Sequence, residues 1–398
     1  MLYQPFEQLL SEPIRNGLTK PKAIRGHGVK MIAMGEIFAN SRISNIEMDR
    51  VPVNDKELVN CSISEGDLLF ARQSLTLEGA GKCSIVSKVD ESTVFESHLI
   101  RARVDNQKAN PYFVFYYFNS YAGRENIKTI VEQVAAAGIR GSDLVKMEIP
   151  CPPLEKQNRI VALLNGIDKK IEINNEINDN LERQAQSCFR ELFVDNADPK
   201  WIIGTISDLG AVVGGSTPSK AKPEYYTESG IAWITPRDLS INKSKFISHG
   251  ENDITELGLK NCSAAIMPEG TVLFSSRAPI GYIAIAAGEV TTNQGFKSVV
   301  PKPEIGTPFV YFFLKHNLPV IEGMASGSTF KEVSGSTMKN IPAVIPDTET
   351  LAKFGDFCAP IFAQQRILEK QSQSLASLRD NLLPKLISGE IDVSAIQI

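Results

Sequence analysis

Histidine and tryptophan are scarce, four and two residues in a chain of 398, and the six cysteines lie far apart. Cys61, Cys83, Cys151, Cys188, Cys262 and Cys358 form no CxxC pair, so neither a zinc pattern nor a disulfide framework is written here. No apolar run approaches the roughly 20 residues a membrane span needs, and the N-terminus lacks a signal-peptide pattern. These absences describe a reduced, cytoplasmic chain with no membrane partner. A basic excess is missing too: the net charge is −4. That counts against a broad phosphate-binding face, although local basic patches can act when the acidic residues occupy another face.

Catalytic signatures are also wanting. The chain has no GxxxxGK[ST] phosphate loop and no GxGxxG after a strand. GAGKC (Gly79–Cys83) is too short to cradle phosphates and reads as a turn, and no Lys-Ser or Lys-Thr follows GGSTPS. HExxH, GxSxG and clustered His/Cys ligands are absent. The [ND]PP[YF] tetrapeptide of amino-methylating DNA enzymes has only a poor match at Cys151-Pro152-Pro153-Leu154, without the amide or the ring. No catalytic residue and no metal site is assigned.

What the chain does have is a repeated helical seam. Ile160, Leu164, Ile167, Ile171, Asn174, Asn178, Leu181, Ala185, Cys188 and Leu192 recur in steps of four and three. This is the period of a helix that packs along another helix. The same steps recur late in the chain at Phe354, Cys358, Ile361, Gln365, Leu368, Ser372, Leu375, Arg379, Leu382 and Leu386. Asn174 and Asn178 occupy polar steps, where a buried amide lowers stability and fixes register. Gly166 in the first copy and Pro360 in the second predict a break or kink in each.

Each seam closes a similar half. EGDLLFARQSL (Glu65–Leu75) is answered by EGTVLFSSRAPIG (Glu269–Gly281), and PYFVFYYFNS (Pro111–Ser120) by TPFVYFFLKHN (Thr307–Asn317). GIRGSDLVKMEIPCPP before the first helix is answered by GSTFKEVSGSTMKNIPAVIP (Gly327–Pro346) before the second. The plan is globular, helix, globular, helix, of mixed α/β (α+β) class, with boundaries at 1–153, 154–196, 197–348 and 349–398. Two seams in register make an internal repeat.

Loop chemistry suited to phosphates and base edges recurs in both halves. The first half offers Arg25, His27, Lys30, Arg72, Arg140 and Ser142. The second offers Ser216, Thr217, Lys220, Arg237, Ser276, Arg277, Asn293, Gln294, Ser328, Thr329 and Lys331. Arg and Lys bind phosphates and read guanine, Asn and Gln read adenine, and hydroxyls serve either role. Trp233, Phe296 and Phe330 lie beside these loops in sequence and read as core residues.

GGSTPS with WITPRDL, TNQGF, GSTFKEVS, PPLEKQNRIVALL and the late LLPKLISGEI stand in an order that resembles the specificity subunit of type I restriction–modification systems. The resemblance covers nearly the whole length. It implies two target-recognition domains, each reading half of a split double-stranded DNA site. It further implies two long antiparallel coiled-coil helices as spacer and docking surface, in a pseudo-two-fold arrangement. The implied partners are two modification subunits carrying S-adenosylmethionine, and two restriction subunits that translocate and cleave DNA with ATP and magnesium. No cofactor is expected on this chain itself. The first recognition domain begins almost at Met1, which leaves closure of the circular arrangement to Ser388–Ile398. A helix over Ile167–Phe193 would span roughly 40 Å, against roughly 34–36 Å between half-sites one DNA turn apart. The rivals are a stand-alone sequence-specific DNA methyltransferase or nuclease, and a coiled-coil scaffold that binds only protein.

Overall fold

Two apolar runs without alternation mark central strands covered on both faces: Leu68–Ala71 and Cys83–Val86 are buried at every position. The structure, a computed structural model, describes residues 2–44, 46–133, 136–327 and 331–393. It divides into two units, one of residues up to Ile171 together with those from Ser374 onward, the other Glu172–Gln373.

In the first unit β1 (Arg15–Asn16), β2 (Arg42–Ile43), β3 (Leu68–Ala71), β4 (Cys83–Val86) and β5 (Leu99–Ala102) form one sheet. Their order is β1-β5-β3-β4-β2, antiparallel except where β2 meets β4. A smaller sheet places Val29–Ile32 between Asp49–Val51 and Thr93–Phe95. Helix α1 (Pro111–Asn119) starts with proline at its first turn, and the Asn110 side chain accepts the Tyr112 N–H at 2.9 Å. Phe113–Phe118 are all buried, and Phe118 meets Phe6 and Phe70 edge-on at 5.1 and 5.0 Å. The first long helix, α2 (Leu154–Arg190), follows and passes into a π-turn at Glu191–Asp195.

The second unit repeats the plan. Strands β6 (Gly210–Gly214), β7 (Phe246–Ile247), β8 (Val272–Ser276), β9 (Ile280–Ala286) and β10 (Lys297–Pro301) are ordered β6-β10-β8-β9-β7. Again only the outermost pair, β7 with β9, is parallel. The smaller sheet here, Ile231–Ile234 between Asn252–Ile254 and Thr291–Thr292, gains a fourth strand at Tyr226–Thr227. Helix α3 (Thr307–His316) is its buried aromatic helix, and α4 (Thr348–Ser388) closes the copy. The fold is mixed helix and sheet in two repeated domains with two long helices.

Each unit contains a stretch of both long helices. In the first, Ile160 and Leu164 share a core with Leu383, Leu386 and Ile387. In the second, Ala185 and Phe189 share one with Leu351, Phe354, Cys358 and Ile361. Asn174 bonds to Gln371 and Ser372, whereas Gln365 bonds to Asn178 and Glu182, so the helices run antiparallel there. The seam residues Ile160, Leu164, Ile167, Asn174, Phe354, Ile361 and Leu368 are buried; Ile171, Asn178, Leu181, Leu375 and Leu382 are half-buried.

The expected breaks do not occur. Helix α2 runs unbroken through Gly166 and α4 through Pro360. Both residues are exposed, so the costs of about 1 kcal/mol for Gly and about 3 for Pro fall on one face. Burial of Phe354 and Cys358 before the proline, and of Ile361 and Leu368 after it, offsets that loss. The apolar faces of each long helix contribute to the cores of both units.

Candidate nucleic-acid interface

Where β3 ends, the chain turns outward at Arg72 and Gln73. The Arg72 N–H donates to the His98 carbonyl at 2.8 Å, and the Ile139 N–H to the Arg72 carbonyl at 2.9 Å. These bonds bring Arg72 together with Arg140 and Ser142, at the start of the turn Gly141–Leu144, around a cleft of about 420 Å³. Arg140 pairs with Glu132 at 2.7 Å, and the Ser142 hydroxyl lies 3.4 Å from Asp143. Arg15, Asn16 and Gln73 also line the cleft and were missed from sequence. Their signal was the Arg-Asn-Gly step: a Cβ at Gly17 would lie 2.0 Å from the Phe95 carbonyl oxygen, so only glycine lets β1 pass there.

The other three first-half candidates are not among that lining. Arg25 donates to the Lys20 carbonyl at 3.1 Å and pairs with Asp49 at 2.9 Å. Lys30 pairs at 3.1 Å with Glu91, which also takes Arg50 at 2.9 Å; hydrogen bonds from both hold the Glu91 carboxyl below its ordinary range. His27 is exposed.

In the second unit a cleft of about 650 Å³ opens beside the turn after β8, lined by Thr217, Lys220, Arg237, Arg277, Asn293 and Gln294 among others; it shares that turn with the first cleft, but its other walls come from the smaller sheet and the segments beside it. The backbone pattern repeats: Ser276 N–H to Gly295 carbonyl at 2.7 Å, and Val333 N–H to Ser276 carbonyl at 3.0 Å. Thr217 and Gln294 are hydrogen-bonded through their side chains, and the Ser216 carbonyl accepts the Trp233 indole N–H at 3.0 Å. Asn293 uses its carbonyl oxygen to accept the Gly295 N–H at 2.9 Å, leaving its amine for other partners. Trp233 and Phe296 are buried.

Asp238 organises the rim. One carboxylate oxygen accepts the Thr235 N–H and hydroxyl at 2.7 and 2.6 Å, which starts the short helix Pro236–Ile241 carrying Arg237. Its other oxygen accepts the Glu251 N–H at 2.8 Å. Arg237 and Glu251, fixed by one buried carboxylate, pair at 3.3 Å.

Ser276 needs correction: it is fully buried and its hydroxyl donates to the Gly295 carbonyl at 3.1 Å, so it serves the fold. Strand β8 continues one residue further than the matching β3, which carries Ser276 inward and puts Arg277 at the cleft. Arg277 pairs with Glu332 at 3.5 Å. Lys331 is exposed but does not line the cleft, and Ser328, Thr329 and Phe330 lie outside the described residues. Tyr226, Thr235, Glu251 and Asn252 were missed; they come from segments that read only as turns and strand ends. Among the described residues no group of His, Cys, Asp and Glu could hold a metal ion, and no helix is long and apolar enough to cross a membrane.

A sequence model of the type I restriction modification DNA specificity domain matches residues 14–183 and again 199–384. The chain belongs to this family of type I specificity proteins. Each matched stretch contains one of the two clefts. The type I restriction enzyme MjaIX specificity subunit of Methanocaldococcus jannaschii is 40% identical over 191 residues, covering 46% of this chain and 44% of that one. The HindI specificity subunit of Haemophilus influenzae is 23% identical over a 432-residue alignment, covering 89% and 91%. The crystal structure of a type I restriction-modification S subunit from M. genitalium shares the fold, with TM-score 0.57 at 17% identity over 97% of this chain and 95% of that one. This specificity protein thus spans 44% of the MjaIX subunit's length but nearly all of the HindI subunit's.

Proposed function

We propose that the chain is the non-catalytic reader of a type I restriction–modification complex, with each cleft reading one half of a split DNA target. The observation that carries this is that each of two copies of one domain has a polar cleft beside the turn after its central strand, the two lined by different side chains. Different linings read different bases, so the target is asymmetric, with an unspecified gap between its halves. The candidates at the clefts are Arg72, Arg140 and Ser142 in the first copy, and Thr217, Lys220, Arg237, Arg277, Asn293 and Gln294 in the second. Arginines supply guanine and phosphate contacts, and the amides read adenine. Methylation belongs to two modification subunits that bind S-adenosylmethionine. Translocation and cleavage belong to two restriction subunits that use ATP and magnesium. The chain carries no cofactor of its own and acts in the cytoplasm on double-stranded DNA.

Co-expression with the modification subunit, followed by genome-wide mapping of methylated adenines, tests this. The expected result is methylation at one split, asymmetric motif that disappears without this chain. Replacing residues 1–150 with those of a relative should then change one half of the motif only. Modification or cleavage of DNA by the purified chain alone would overturn the reading.

A further inference from the structure

Each cleft contains one carboxylate among its described lining residues, set against three cations. In the first it is Glu132, facing Arg15, Arg72 and Arg140; in the second it is Glu251, facing Lys220, Arg237 and Arg277. Both carboxylates are held by an arginine of the same cleft, Glu132 by Arg140 at 2.7 Å and Glu251 by Arg237 at 3.3 Å. The four side chains are 49–71% exposed, so each pair sits in water and contributes little to folding. Either pair can open without loss to the fold. A cleft that only gripped phosphates would gain nothing from a carboxylate, because like charges repel across an interface. Base edges in the major groove do offer donors, and the cytosine N4 amine is the one that aspartate and glutamate accept from.

Resting on the reading above, we infer that Glu132 and Glu251 are specificity-determining residues, each accepting the N4 amine of a cytosine in its half of the target. In the free protein the partner arginine keeps the carboxylate aimed into the cleft. On DNA, Arg140 and Arg237 are released to acceptors on the neighbouring guanine edge or phosphate. The backbone supports this aim in the second copy, where Asp238 holds both the Glu251 N–H and the start of the Arg237 helix. Each half of the target therefore contains a C·G pair read by a carboxylate. A phosphate approaching the same place is rejected, which lowers affinity for unrelated DNA.

The test uses the full chain assembled with its modification subunits. The motif directed by the wild-type chain is mapped first; if there is none, the reading of the chain fails rather than this inference. Glu132→Gln and Glu251→Gln are then assembled, and their motifs and duplex affinities compared. Glutamine also donates and suits adenine, so each variant should lose roughly tenfold or more of its discrimination for cytosine at one position. Glu132→Gln should do so in one half of the motif and Glu251→Gln in the other. Glu251→Asp, which keeps the charge with a shorter reach, provides a second variant should Glu251→Gln fail to assemble; its cytosine preference should weaken at that same position. An unchanged motif at unchanged affinity, or a uniform fall in affinity across duplexes varied at every position, would overturn the inference. In the latter case the carboxylate acts only by positioning its arginine.

Discussion

In the first unit Asp168 of α2 lies between two guanidiniums, Arg42 at 2.7 Å and Arg379 at 2.8 Å, and accepts the Tyr116 hydroxyl at 2.6 Å. In the second, Glu182 of the same helix lies between two ammonium groups, Lys245 at 2.8 Å and Lys315 at 2.6 Å, and accepts the Tyr311 hydroxyl at 3.1 Å. Both copies join the outer edge of the main sheet to the long helices through a carboxylate, two cations and a tyrosine. Arg42 belongs to β2, and Lys245 immediately precedes the matching β7. The arrangement recurs while the residue types differ, so the need is electrostatic: a polar sheet edge meets an apolar helix face and must bring matched charge with it. The cations differ in kind. Guanidiniums keep their charge at any ordinary pH, whereas an ammonium can lose its own when buried.

Removing the central carboxylate should break either joint. Asp168→Ala leaves Arg42 without its carboxylate, while Arg379 keeps Asp380 at 2.8 Å, and Glu182→Ala strands Lys245, whose side chain is 6% exposed. Breaking one partner of a buried pair costs about 3–5 kcal/mol. Urea unfolding should show a loss of that order for each variant, and hydrogen exchange should place the first in residues up to Ile171 and from Ser374 onward, and the second in Glu172–Gln373. A loss below about 1 kcal/mol, typical of exposed pairs, would mean that the joints are surface decoration.

These joints show why some of the molecule was legible in its sequence and some was not. The seams, the aromatic helices and the order of the halves were readable because each is a local period, and local period decides which face is buried. Asp168, Arg42 and Arg379 stand far apart in the chain, and no spacing links them. The clefts were half legible for the same reason. Arg72, Arg140, Arg237 and Arg277 stood out as cations among turn residues, whereas Glu132 and Glu251 looked like ordinary surface carboxylates until the fold set them against arginines. Ser276 misled because one extra residue of strand turns a side chain to the opposite face. Gly166 and Pro360 misled because propensity yields where both flanks are buried.

The difference between the joints is sharpened by pH. Burial is the largest influence on Lys245 and lowers it from 10.5 to about 8, despite Glu182. Burial also opposes ionisation of Glu182, but Lys245 and Lys315 outweigh it and hold that carboxyl below its ordinary range. The two directions together make Lys245 the member that gives up its charge, although its ammonium also lies 3.5 Å from the centre of the Phe362 ring. A lysine lowered in the folded state binds fewer protons than the unfolded chain between about 8 and 10.5. Stability from this site is therefore full above the unfolded value and is lost as pH falls through the folded one, by about 3 kcal/mol. Proton uptake on unfolding at a pH midway in that window should include the Lys245 proton. That one proton's contribution should disappear in Lys245→Met, and Arg42→Met should leave it unchanged.

The smallest effect should come from the seam. Where Asp168 and Arg379 close it with charge, Asn174 closes it with an amide that donates to Gln371 at 3.0 Å and Ser372 at 3.3 Å. The fit is incomplete: Asn174 is fully buried, and the side-chain oxygens of both Asn174 and Asn178 have no partner among the described residues. An unsatisfied buried acceptor costs about 1–3 kcal/mol, and an amide in such a seam holds register at the expense of stability. Asn174→Leu with Asn178→Leu should therefore raise the unfolding free energy by about 1 kcal/mol, opposite in sign to Asp168→Ala. The same variant should show a second set of methyl resonances from a shifted helix register, absent from the wild-type spectrum. A less stable variant with a single set of resonances would mean that the amides are well matched after all, and that register is held by the charged joints on either side.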